Sequence, residues 1–215
     1  MIDSANNDDI IILQNDLHLC VFHRLRRWNN TNIDIFTQKS REAIQQAEKL
    51  TYDYGNPEIR QSHILLALLE QEDGLIPKLI QKMDIDLNYF RNDITQMVQN
   101  LPKVSGNVQV QVSNDANQVL IHGEDEAKAM GDSYVSVEHL FLAMQKYPDR
   151  EIKQKFREFG LTRERFLQAL QTVRGNQQAN TDNPEATYEA LEKYGYDMVE
   201  RARDQKLDPV IGRDS

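Results

Sequence analysis

A chain of 215 residues with 40% hydrophobic side chains carries enough apolar mass to build a packed core, which sets aside a disordered polymer. Its formal net charge of -9, from 34 acidic against 25 basic side chains, sets aside broad attraction to nucleic acid or an anionic membrane and favours proteins as partners. With Cys20 as its one cysteine, it has no intrachain disulfide and no multi-thiolate metal site, which fits a reducing cytoplasm.

Residues 1–35 read as a poorly ordered extension ahead of the fold. Its apolar runs, Ile10 to Leu13 and Leu17 to Phe22, fall far short of the roughly 18 to 20 residues that span a bilayer. Asp3, Asp8 and Asp9 at the start argue against a secretory signal peptide, whereas Arg24, Arg26 and Arg27 leave an atypical organelle-targeting segment as a second reading. Cys20 with His18 and His23 suggests a thiol site only superficially, because no core surrounds them to hold a geometry, and no catalysis is assigned there.

From Thr37 onward the chain repeats itself. Sliding it by 76 residues sets Thr37 against Ser113, Glu48 against Glu124, Gly55 against Gly131, His63 against His139, Leu66 against Leu142, Ala67 against Ala143 and Phe90 against Phe166, without a gap. Conservative pairs fill the intervals, among them Ile59 with Val135, Ile64 with Leu140, Ile85 with Leu161 and Ile94 with Leu170. Each copy, 36–101 and 112–174, predicts about four helices. The first is capped by Thr37 or Ser113 and ends at Gly55 or Gly131. The second starts near Ser62 or Ser136 and is apolar around most of its circumference, so it is the buried central helix. A shorter third lies near Pro77 to Met83 and near Arg150 to Phe159, and the fourth starts at the caps Asp86 and Thr162. Pro102 and Gly106 break the connector between copies, where a few residues run extended. The fold class is all-α: two tandem four-helix repeats forming one pseudo-twofold domain over 36–175.

The Asn- and Gln-rich stretch at 176–184 reads as an exposed linker, after which Tyr188, Leu191, Tyr194 and Met198 form a narrow helical stripe within 185–215. The repeat anchors, the connector Leu101-Pro102-Lys103-Val104, the run Gly131-Asp132-Ser133-Tyr134-Val135-Ser136-Val137-Glu138-His139-Leu140 and the tail from Leu191-Glu192-Lys193-Tyr194-Gly195 to Lys206-Leu207-Asp208-Pro209-Val210-Ile211-Gly212-Arg213-Asp214 together resemble the ClpB-type disaggregases of the Clp AAA+ family. The resemblance covers Phe36 to Asp214. It departs from the family in the extension before Phe36, since the first repeat helix there lies almost at the N-terminus.

The resemblance implies a double Clp-repeat domain that engages unfolded or aggregated polypeptide before a hexameric motor threads it, with ATP and magnesium used elsewhere in the full-length protein. It implies a peptide groove at Thr37, Asp132 and Glu138, and it implies that Val210 and Ile211 approach the adenine in a complete ATPase domain, of which 185–215 would be a truncated beginning. Each groove residue also has a plain structural role: Thr37 as a helix cap, Asp132 beside a turn glycine, Glu138 at a helix N-terminus. A phosphate-binding loop of the form G-x-x-x-x-G-K-[ST] is absent, so the chain is expected not to be an enzyme by itself, to hold no cofactor or metal, and to be monomeric. His63 and His139 stand alone at equivalent positions, without carboxylate or thiolate at ligand spacing, and are expected to be structural. The rival reading is an adaptor-docking domain of a Clp protease unfoldase.

Overall fold

The computed structural model describes residues 32–105 and 110–188. The extension with His18, Cys20 and His23, the tail beyond Tyr188, and with it Val210 and Ile211, for which an approach to adenine is expected, lie outside the described residues.

Among the described residues, eight α-helices make up the two repeats in chain order: α1 Gln38–Asp53, α2 Gln61–Glu70, α3 Leu75–Lys82 and α4 Leu87–Gln99 in the first, then α5 Asn114–Met130, α6 Val137–Lys146, α7 Arg150–Glu158 and α8 Arg163–Arg174 in the second. The caps sit where hydroxyls and carboxylates were expected. Thr37 accepts from the Ser40 N–H, Ser113 from Ala116, Asp86 from Tyr89 and Thr162 from Arg165, each satisfying a first-turn amide that has no partner inside its helix. α3 starts two residues earlier than the sequence predicts, because Pro77 fits the first turn, where a missing N–H leaves no helix bond unmade.

α1 and α5 end the same way. Gly55 (φ 70) and Gly131 (φ 73) take the left-handed conformation that costs a side-chain-bearing residue energy. The N–H groups of Asn56 and Asp132 then fold back onto the carbonyls of Thr51 and Ala127, at 2.9 Å in both copies. This turn delivers Asn56 and Asp132 to the starts of α2 and α6.

The repeats are tied by exchanged extended segments. β1 (Glu58–Ile59) pairs in parallel with β2 (Gln111–Val112), with Ile59 opposite Val112, and Phe36 makes the equivalent bridge to Val135. Both pairings obey the 76-residue offset, so the segment entering each repeat bonds to the loop that precedes the other repeat's central helix. Polar bonds reinforce the joint: the buried Gln61 side chain donates to the carbonyl oxygens of Tyr147 (2.8 Å) and Asp115 (3.0 Å) and accepts from the Asp149 N–H (2.8 Å).

One hydrophobic cluster spans both copies. α2 is buried from Gln61 to Leu69 and α6 from Val137 to Met144, as their all-round apolar sequences require. Phe141 on α6 stacks on Phe166 at 4.4 Å between centroids and meets Phe156 at 5.4 Å.

The chain does not leave this domain after α8. Over the expected linker, residues 176–178 and 180–183 are exposed, but Ala179 is fully buried and so is Pro184, and a helical turn begins at 184. The stretch is a strap lying on the domain. Its composition reads as a linker because only its anchoring residues and its backbone touch protein.

Candidate functional site

The site grows out of the way α6 is capped. His139, the third residue of α6, accepts the Ser136 N–H at Nδ1 (2.9 Å), so its proton lies on Nε2 and is donated to Asp132 Oδ2 at 2.8 Å. In the first copy His63 accepts the Arg60 N–H at Nδ1 (3.0 Å) and donates from Nε2 to Asn56 Oδ1 (3.0 Å). Burial, aided by the Arg60 charge, pushes the His63 imidazole down to about 4, which keeps it neutral and able to accept. Both histidines are therefore helix caps.

The second copy adds charge at this place. Asp132 Oδ1 accepts from the Arg174 guanidinium and from the Ala179 N–H at 2.9 Å. Glu138 Oε1 faces another nitrogen of the same guanidinium at 3.4 Å. Burial alone would push the Asp132 carboxyl up, but the hydrogen bonds from His139, Arg174 and Ala179 outweigh it and hold the group below its ordinary range. Against the 76-residue offset, Asp132, Glu138 and Arg174 face Asn56, Ser62 and Val98. A neutral trio in one copy is an ionic trio in the other.

Thr37, Asp132 and Glu138 do gather on one side of the domain, around the N-terminus of α1 and the turn before α6, and the strap runs over all three. The Tyr134 N–H donates to Ala179 O (3.0 Å) and the Gln38 N–H to Asp182 O (2.7 Å), so the strap is held by its backbone. Arg174 Nε closes its start onto Gln177 O, Thr37 Oγ1 lies 3.4 Å from Glu185 Oε1, and the guanidinium sits 5.8 Å above the Tyr188 ring. Thr37 and Glu138 are wholly buried as a result, and Tyr188 is 1% exposed.

Glu185 is the uncomfortable member. Burial and the neighbouring Glu138 charge push its carboxyl up to about 7. Glu138 Oε2, Glu185 Oε2 and Tyr188 Oη are buried without a hydrogen-bond partner among the described residues.

Resemblance singled out Thr37, Asp132 and Glu138, which the fold does bring together, but sequence reasoning missed Arg174, Ala179, Glu185 and Tyr188 as their neighbours. The signal for Arg174 was present, since three positions change from neutral to charged together between copies of one unit. No comparable signal marks Ala179, which belongs to a stretch whose composition is that of a linker, or Glu185, which opens the segment after it.

Fold and site together define a double-repeat helical domain whose distinctive chemistry lies in one copy. The Clp repeat (R) N-terminal domain family matches residues 35–159, more than half of the chain, and the protein belongs to that family. Over 188 residues it is 40% identical to the chaperone protein ClpB of Bacillus cereus, a match covering 86% of this chain and 22% of that protein. The chain thus spans about a fifth of the length of that relative. In three dimensions it is similar to the Hsp104 N-terminal domain from Candida albicans (TM-score 0.61, 22% identity, 68% of this chain and 96% of that one). It is also similar to a ClpV N-domain in complex with a VipB peptide (TM-score 0.54, 16% identity, 69% and 92%).

Proposed function

We propose that this chain is the polypeptide-engaging N-terminal module of a ClpB-type, ATP-dependent disaggregase, which captures exposed segments of unfolded or aggregated protein without covalent chemistry and passes them to a hexameric motor in the cytoplasm. The observation that carries the reading is that a segment of the chain, non-helical over 177–183, already lies against Thr37, Asp132 and Glu138 and is held through its own main chain by bonds to Tyr134, Gln38 and Asp132. Main-chain recognition is indifferent to sequence, which is what a binder of misfolded chains requires. Nucleotide and magnesium would act in the remainder of such a protein, not in these residues.

The test is a titration of labelled, unstructured casein with the wild type and with Thr37→Ala, Asp132→Asn and Glu138→Gln, each first checked for native helicity. Affinity falling about tenfold in at least two variants supports the groove. Equal affinity in all four proteins removes Thr37, Asp132 and Glu138 from the assignment.

The adaptor-docking reading is favoured by one observation, that a ClpV N-domain of this fold binds a peptide of one partner, VipB. Recovery of a single stoichiometric protein, in place of a mixed aggregation-prone set, would decide for it.

A further inference from the structure

We propose that residues 177–188 are an intramolecular occupant of the Thr37, Asp132 and Glu138 groove, and that an incoming extended segment binds by displacing them, setting a basic side chain against Glu138 where Glu185 now lies. The inference rests on the polypeptide-binding reading and deepens it.

Three observations converge. The strap contacts the domain as a bound peptide would, through the Ala179 N–H and carbonyl and the Asp182 carbonyl, with one small side chain buried between them and most others in water. It is a poor ligand at one end: Glu185 places a carboxyl beside Glu138, and one oxygen of each, with the Tyr188 hydroxyl, is buried unpaired. Finally, the first repeat docks its own following segment at the equivalent turn: the connector after α4 reaches the Asn56 side chain through the Pro102 carbonyl (3.0 Å) and the Gly55 carbonyl through the Val104 N–H (2.8 Å). Among the described residues that contact is made by neutral groups alone, whereas the strap brings Glu185 up against Glu138. A lysine or arginine in place of Glu185 would meet Glu138 with opposite charge, and an extended backbone would reproduce the remaining bonds.

The experiment uses the full chain carrying Cys20→Ser with Ser133→Cys and Asn180→Cys, since the Ser133 hydroxyl and the Asn180 side chain touch at 3.0 Å on the exposed side of the strap. An opened form carries Ala179→Glu, which sets a second carboxylate beside Asp132. The probes are fluorescein-labelled peptides copying residues 177–188, one with glutamate and one with lysine at the position of Glu185. The expected results are a disulfide that forms on oxidation, binding of the lysine peptide at least tenfold weaker in the oxidised than in the reduced protein, tighter binding by the opened form, and a preference of about tenfold for the lysine over the glutamate peptide. Failure of the disulfide to form, or equal binding by oxidised, reduced and opened proteins, overturns the displaced-strap proposal while leaving casein binding to decide the function. Equal affinity for the two peptides overturns the role given to the basic side chain. If neither the peptides nor casein bind the opened form, the polypeptide reading itself fails and takes this proposal with it.

Discussion

Asp132 and Asn56 occupy the same place in two copies of one unit, and both accept a hydrogen bond from the histidine that caps the next helix. Asp132→Asn therefore preserves the cap, because the first copy already works that way, while leaving Arg174 and the Ala179 N–H with a weaker acceptor. The expected loss is about 1–3 kcal/mol at pH 7, read by urea unfolding. Since the folded carboxyl is held below its ordinary value of 3.8, its contribution is complete above that value and disappears as pH falls through the lower folded one. The gap between wild type and variant should accordingly narrow as pH falls below 3.8. Glu185 has the opposite sign. Its carboxyl, ordinarily at 4.5, is raised to about 7 when docked, so docking is most favourable below 4.5 and weakens as pH rises through about 7. Around it stand Glu138 on α6, Thr37 and Lys39 at the start of α1, and Arg174, Asp132 and Tyr188, and of these Glu138 opposes ionisation while Lys39 and the Thr37 hydroxyl favour it. Amide exchange at Ala179, corrected for intrinsic rate, should lose protection between pH 4.5 and about pH 7 in the wild type and stay level in Glu185→Gln.

At the scale of elements, the caps and glycine turns are the most local features and the most legible. Thr37, Ser113, Asp86 and Thr162 were identifiable as caps because a hydroxyl or carboxylate before an apolar periodic run has one obvious use. Gly131→Ala should cost about 1–2 kcal/mol, chiefly from forcing a Cβ into the left-handed region. The flexible Gln178 side chain, 3.1 Å from the added atom, can move aside, so a loosened strap is expected with it. Phe141→Ala should cost about 3–5 kcal/mol, since the ring is fully buried between Phe156 and Phe166 and its removal leaves a void. Denaturant midpoints measured for both variants check these values. The strap was not legible at this scale. Its Asn and Gln residues are exposed as a linker's would be, even where Asn180 meets Ser133, and the backbone bonds to Tyr134 and Gln38 that hold it leave no mark in side-chain pattern.

For the whole molecule, the exchange of Phe36 and Val112 between repeats means that neither copy completes its own extended pairing. The Gln61 side chain likewise finds all its partners in the second copy. A peptide of residues 32–105 alone should show little helical circular dichroism, and mixing it with residues 110–188 should restore the signal; a fully helical isolated half would contradict this account. The sequence by itself determined the two copies, their helices, their caps and the buried faces of α2 and α6, because periodicity and capping act over a few residues and are written where they act. Only the tertiary structure decided that Thr37, Asp132 and Glu138 share a surface with Arg174, and that the chain's own strap covers them. Those relations join residues far apart in the chain through backbone bonds and buried charge, whose energies depend on position in the fold and not on neighbours in the sequence.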